Sequence, residues 1–156
     1  LIWFNQQYIK NTDSELLKID VEKTIPSDWN VTLPMIDLVK DSVDTLNDFK
    51  NQLESFFVYS PISTSNNDKL FSDMIYDFLN ELKNKFETID NLTVDKFKQI
   101  VNTIKNTKAI SGNVWKPIRI AVSGKESGPD ISMFIVILGP DQCSQRIGQF
   151  LNCNVN

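Results

Sequence analysis

WKPIRIAVSGKESGPDISMFIVILGP, residues 115–140, holds the two runs whose conformation decides the fold. Ile118 to Val122 and Met133 to Leu138 are rich in β-branched residues, and on composition alone they read as two short buried strands. The punctuation around them points the other way. Pro117 fits the first turn of a helix, where its missing N–H costs nothing, and Gly124 suits a helix-ending position. Gly139 can stop the second run and Pro140 can start a third helix over Asp141 to Leu151. No other stretch alternates as a half-buried strand does, and an isolated two-stranded pair is marginal in water. Both runs are therefore expected to be short buried helices in an all-α protein.

The pattern on either side agrees. Thr12 to Glu15 reads as a capping box opening a helix that runs to about Lys23, with Leu16, Leu17, Ile19 and Val21 as its apolar positions. Pro26 and Ser27-Asp28 break it. Leu33, Ile36, Leu38, Val39 and Val43 form one helical stripe. Thr45 is expected to cap the next, carried by Leu46, Phe49, Leu53, Phe56 and Phe57. Asp37, Asp41, Asp44 and Asp48 are expected to face solvent there and to repel nucleic-acid phosphates. The polar, unperiodic segment from Ser60 to Lys69 is the best domain boundary. Beyond it, Leu70, Phe71, Met74, Ile75, Phe78, Leu79, Leu82 and Phe86 form a core-facing stripe. Thr93 opens a further helix through Phe97, Ile100, Val101 and Ile104.

That last helix begins a charge anomaly. Between Lys96 and Lys125 lie seven cations (Lys96, Lys98, Lys105, Lys108, Lys116, Arg119 and Lys125) and no Asp or Glu, which leaves −11 for the rest of a chain whose net charge is −4. A basic band in an acidic protein is the footprint of an anionic partner. Lysines neutralise phosphates. Arg119 adds a planar fork that can pair bidentately with a base edge or stack on a base. Trp115, beside Lys116, suits an unpaired base. The plainer readings stay open: Trp115 as a core plug under the loop, Arg119 as half of a structural ion pair.

Catalysis by the chain alone has little support. The 156 residues contain no histidine, which removes the commonest general base and most zinc, iron and copper sites. There is no nucleophile elbow, and SGKESGP lacks the spacing of a phosphate loop. Cys143 and Cys153 lie on no metal-type spacing and read as reduced thiols of a cytoplasmic protein, with a disulfide as the alternative. The longest apolar run is far too short to span a bilayer. Leu1 is no initiator Met, so the numbering is expected to begin inside a longer protein.

These same residues resemble a family. WKPIRIAVSGKESGPDISMFIVILG is similar to the C-terminal anticodon-binding region of bacterial-type glutamyl-tRNA synthetases, matching its pattern at Pro117, Arg119, Ala121, Ser123, Gly124, Pro129, Leu138 and Gly139. LIWFNQQYIK resembles the family's L-x-W-x-N-x-x-Y-I-[RK] signature at Leu1, Trp3, Asn5, Tyr8, Ile9 and Lys10. DTLNDF, Asp44 to Phe49, resembles the D-T-L-K-[ED]-[FM] segment between them.

The resemblance implies an all-α pair of helical subdomains: residues 1–12 as the tail of a stem-contacting region, 13–62 as a first anticodon-binding subdomain and 63–156 as a second. It implies a parent glutamate–tRNA ligase, a cytoplasmic monomer that uses ATP with magnesium, while this stretch holds no catalytic, cofactor or metal site. Without histidine it cannot contain the HIGH motif. By the family's pattern Arg119 and the loop Gly128, Pro129, Asp130 and Ile131 meet the anticodon bases; from the basic band itself, Lys108, Lys116 and Lys125 are expected to contact phosphates and Trp115 to stack on a base. Gly128 stands where some members have Thr, so backbone contacts replace a hydroxyl there. Some members carry, before D-T-L, an arginine that reads the third anticodon base and rejects glutamine tRNA. This chain has Ser42 there beside Asp41, and a serine makes only one weak bond where arginine makes two. Charging of both glutamate and glutamine tRNAs is therefore expected. The competing expectations are a helical protein-interaction module and a free-standing RNA-binding domain.

Overall fold

Both ambiguous runs are helices. The computed structural model describes residues 2–64 and 69–155, without the side chains of residues 2–4. Among the described residues there is no strand. The helices are α1 Ile2–Asn11, α2 Ser14–Glu22, α3 Leu33–Val39, α4 Asp48–Phe57, α5 Asp73–Thr88, α6 Val94–Thr107, α7 Trp115–Ser123, α8 Ile131–Leu138 and α9 Pro140–Asn154, with a 3-10 turn at Lys40–Ser42 after α3. No helix among them is long and apolar enough to cross a membrane. The resemblance at Leu1, the Trp3 side chain and residues 65–68 of the polar segment lie outside the described residues.

The chain divides into two compact units, Leu1–Val58 with Gly128–Asp130, and Tyr59–Ser127 with Ile131–Asn156. In the first, α2 packs on α3, α3 on α4, and α1 against the 3-10 turn. Ile9, Leu17, Val21, Ile36, Val39, Phe49 and Leu53 form its core. Trp29 stacks on Phe57 with ring centroids 4.9 Å apart.

Two helix starts differ from expectation. Asp13, not Thr12, caps α2, accepting the Glu15 N–H at 2.9 Å. Thr12 instead closes α1, its N–H bonding the Tyr8 carbonyl at 2.9 Å and its hydroxyl donating to the same oxygen, so it lies one residue before the cap position of the next helix. Thr45 does not cap α4 with its side chain, because the chain makes a turn through Asn47 first. Asp48 reaches back instead and accepts the N–H groups of Asp44 (3.1 Å) and Thr45 (2.9 Å). Those bonds hold its carboxyl below the usual range, the Thr45 N–H contributing most. Asp48 is thus half-buried, while Asp37, Asp41 and Asp44 are exposed as expected. Of the apolar positions of α2, Leu17 and Val21 are buried, while Leu16 and Ile19 are 60% and 56% exposed.

In the second unit α5 runs along α9, α6 packs on α5 and α8, and α7 on α8 and α9. Phe78, Leu79, Phe86, Phe97, Phe134, Ile147 and Phe150 are almost wholly inaccessible, each worth roughly 1.5–3 kcal/mol of burial. Ser72 and Thr93 cap α5 and α6 by accepting the N–H of Ile75 and Lys96. Because Ser72 sets the start, Leu70 and Phe71 lie before α5, and Met74 in its first turn is 49% exposed rather than core. The extended segment after α4 is tied down along α9: Asn154 accepts the Thr64 N–H (2.6 Å) and donates to the Ile62 carbonyl (2.9 Å).

Candidate nucleic-acid interface

Helix α7 carries the key side chains, and its local chemistry is accounted for almost atom by atom. At its start the Asn113 side chain accepts the Trp115 N–H at 2.9 Å. Pro117 sits buried in the first turn, where no N–H is missed. At its end Gly124 takes the left-handed conformation, φ 71°, and its N–H bonds the Ile120 carbonyl at 3.0 Å. That conformation is open to glycine at little cost.

The last carbonyls of a helix have no intrahelical donors; here each of those from Arg119 to Val122 has a donor. The Ser123 hydroxyl donates to Arg119 (2.7 Å) and accepts the Lys125 N–H (3.1 Å). The Tyr59 hydroxyl donates to Ala121 at 2.6 Å and lies 3.0 Å from the Arg146 carbonyl. Arg146 Nη1 donates to Val122 at 2.9 Å. The Arg146 guanidinium lies 4.9 Å over the Tyr59 ring.

Arg146 is only 6% exposed. Burial pulls its pKa down. What favours its charge is its position at the negative end of α7's dipole and over an aromatic face. Burial likewise raises the Tyr59 hydroxyl and pushes the Cys143 thiol, in the same core, up to about 12. Neither Tyr59 nor Arg146 emerged from the sequence as a functional position. The available signal was spacing: Arg146 shares a helical stripe with Cys143, Ile147 and Phe150, so a cation stood on the buried face.

The sequence-predicted residues fall as follows. Trp115 and Arg119, one turn apart on α7, are both half-buried. The Trp115 ring meets Phe97 edge-on at 5.8 Å, so part of it plugs the core while part stays open. Lys116 and Lys125 are exposed. Lys108 ends α6 with Nζ 3.3 Å from Glu81, so a phosphate there would compete with an existing partner. Lys96 Nζ donates to the Asn91 carbonyl at 3.0 Å. Ile131 is buried at the head of α8, which leaves little of it for a base to cover.

Gly128, Pro129 and Asp130 belong by their contacts to the first unit, while Ile131 belongs to the second. Gly128 and Asp130 are exposed and Pro129 half-buried. Ser42 ends the 3-10 turn, also in the first unit, and is exposed. Its hydroxyl donates to the Val39 carbonyl at 2.9 Å, so what it presents outward is an acceptor.

Residues 3–151 match a protein family described as an anticodon binding domain. The chain is 30% identical over 166 residues to a glutamate–tRNA ligase of Natranaerobius thermophilus, covering 97% of this chain and 34% of that protein. It is 32% identical over 161 residues to glutamate–tRNA ligase 1 of Pseudothermotoga lettingae, covering 97% and 33%. Among solved structures, a glutamate tRNA ligase from Elizabethkingia meningosepticum, crystallised in complex with its amino acid, superposes with a TM-score of 0.80 at 23% identity, over 97% of this chain and 31% of that one. The chain thus spans about a third of the length of the relatives it matches.

Proposed function

The chain belongs to the anticodon-binding domain family, and we propose that it reads the anticodon of tRNA as part of a glutamate–tRNA ligase. In the whole protein glutamate is activated with ATP and magnesium and loaded onto tRNA. That chemistry lies outside this chain. Among its described residues no group of three or more His, Cys, Asp or Glu is arranged to hold a metal ion.

The carrying observation is Arg119 on α7, inside the basic band and with both ends of its helix held. The exposed lysines draw in the phosphates and position the RNA without reading its sequence. Arg119 pairs bidentately with a base edge or stacks on a base, and the open part of Trp115 offers a second stacking face. The residues Gly128, Pro129 and Asp130 contribute backbone groups to the anticodon. Residues 1–12 close the stem-contacting region, 13–62 form the first anticodon-binding subdomain and 63–156 the second. The parent is a cytoplasmic monomer.

Ser42 extends the reading. With its proton committed to Val39 it can accept one bond from a base but cannot make a bidentate pair. The ligase therefore tolerates either third anticodon base and charges both glutamate and glutamine tRNAs. Charging assays of the full-length protein on the two transcripts test this. Rejection of glutamine tRNA by about a hundredfold or more, roughly 2.8 kcal/mol, overturns it.

Arg119→Ala should weaken tRNA binding by roughly 1–3 kcal/mol and relax preference at one anticodon base, whereas Lys116→Ala should weaken all tRNAs alike and flatten the salt dependence. Unchanged tRNA affinity in Arg119→Ala overturns the role given to Arg119.

A further inference from the structure

We infer that Tyr59 and Arg146 are positioning residues that aim Arg119 at the anticodon; the inference rests on the base-reading role proposed for Arg119. Helix α7 has nine residues, about 13 Å of axis. A helix that short is oriented by what holds its ends. The Ala121 and Val122 carbonyls, two and three residues beyond Arg119, are held by the Tyr59 hydroxyl at 2.6 Å and Arg146 Nη1 at 2.9 Å. The Arg119 carbonyl is itself taken by Ser123.

The two residues also support each other. Tyr59 lies within reach of the Arg146 carbonyl, and the Arg146 guanidinium covers the Tyr59 ring. One clamp therefore ties α7 to α9 and to the segment that begins at Tyr59. A buried cation is a demanding way to satisfy one carbonyl. It brings what a neutral donor lacks: charge against the negative end of α7's dipole, in a low-dielectric setting. A site that reads bases needs its side chain held to within about 0.5 Å and 10–20°, by neighbours whose own rotamers are locked. The clamp supplies that hold from behind, on side chains that need never touch RNA.

The test uses the full-length ligase and two tRNAs, one with the glutamate anticodon and one with its first or second anticodon base replaced. The readout is the ratio of their affinities, with the salt dependence of each. Tyr59→Phe keeps the ring and removes only the hydroxyl. It should lower the ratio about three- to tenfold, the equivalent of one net hydrogen bond, and leave the salt slope unchanged. Arg146→Met should lower it as well, and Arg146→Lys should restore part of it by keeping the charge at the helix end. In an Arg119→Ala background, Tyr59→Phe should change the ratio no further.

A ratio unchanged by Tyr59→Phe, when Arg119→Ala does lower it, overturns the positioning role alone. So does an equal further fall in the Arg119→Ala background, or a loss of bound fraction that merely follows loss of folded protein at constant ratio. If Arg119→Ala itself leaves the ratio unchanged, the base-reading role of Arg119 falls and the clamp's role with it.

Discussion

Replacing Gly124 by alanine perturbs one backbone position for two separate physical reasons, and the structure gives a size for each. The residue has φ 71°, and a Cβ added there would sit 2.6 Å from the Ser60 carbonyl oxygen. The left-handed conformation costs an L-residue about 1–2 kcal/mol. Forcing an extra carbon against fixed backbone costs roughly 1–3 kcal/mol. A stiffer unfolded chain returns about 0.4–1 kcal/mol. The net expectation is a loss of roughly 1–5 kcal/mol. Relaxation is constrained, because moving Ser60 drags Tyr59 off the Ala121 carbonyl. Urea denaturation followed by circular dichroism measures the loss as a lower midpoint at unchanged slope, since the surface exposed on unfolding is the same. A loss below about 0.5 kcal/mol, the size of an ordinary surface substitution, would refute the crowded, left-handed end assigned to α7.

The opposite sign is expected at Ala109, which holds φ 53° at the end of α6 in a Schellman arrangement, the Ile110 N–H bonding the Lys105 carbonyl (2.9 Å) and its own N–H bonding Asn106 (3.1 Å); Ala109→Gly should raise stability by about 0.5–1 kcal/mol, and a lower denaturation midpoint would contradict this. A thiol reagent at pH 8 should label one cysteine per native chain, the exposed Cys153, and the second only after unfolding, because Cys143 is buried with its thiol pushed up to about 12; rapid labelling of both in the native state would show the core to be misdescribed. Asp48→Asn should cost about 0.3–1 kcal/mol near neutral pH, the usual worth of a negative charge in the first turn of a helix. The native Asp48 carboxyl titrates below its ordinary value of 3.8, so its stabilisation is full above that value and lost as pH falls through the native one; wild type and variant should converge in acid, and a gap that persists at low pH would refute the role given to its charge.

Much of the fold was legible because proline and glycine act locally. Pro117, Gly124, Gly139 and Pro140 each fit a helix boundary, and they outweighed the β-branched composition between them. Caps were less legible where two capping residues compete: Thr12 and Asp13 are adjacent, and what decides is that the Thr12 backbone still closes α1, leaving Asp13 as the residue that opens α2. Leu16 and Ile19 lie on an apolar spacing that nothing in the first unit covers, since periodicity shows that a face is apolar and not whether it has a neighbour.

The candidate site was legible as charge and as resemblance, both of which are patterns along the chain. What holds it in shape was not. The Tyr59 hydroxyl meets Ala121 across 62 residues, and Arg146 meets Val122 across 24. Lys108 looked like a plain member of the basic band until α5 brought Glu81 to it. Such partners follow from helix packing, which one-dimensional spacing does not encode. A buried arginine in particular is discounted on sequence, because charge ordinarily means surface.

The central claim divides the labour between lysines that position and an arginine that reads. Affinities of the full-length protein for tRNA with the glutamate anticodon and for a variant with its first or second anticodon base replaced, measured across a salt series, give the sharpest test. Both affinities should fall steeply and in parallel with salt, their ratio should stay constant, and Arg119→Ala should bring the ratio towards one while leaving most of the salt slope in place. A wild-type ratio of one at every salt concentration would contradict it.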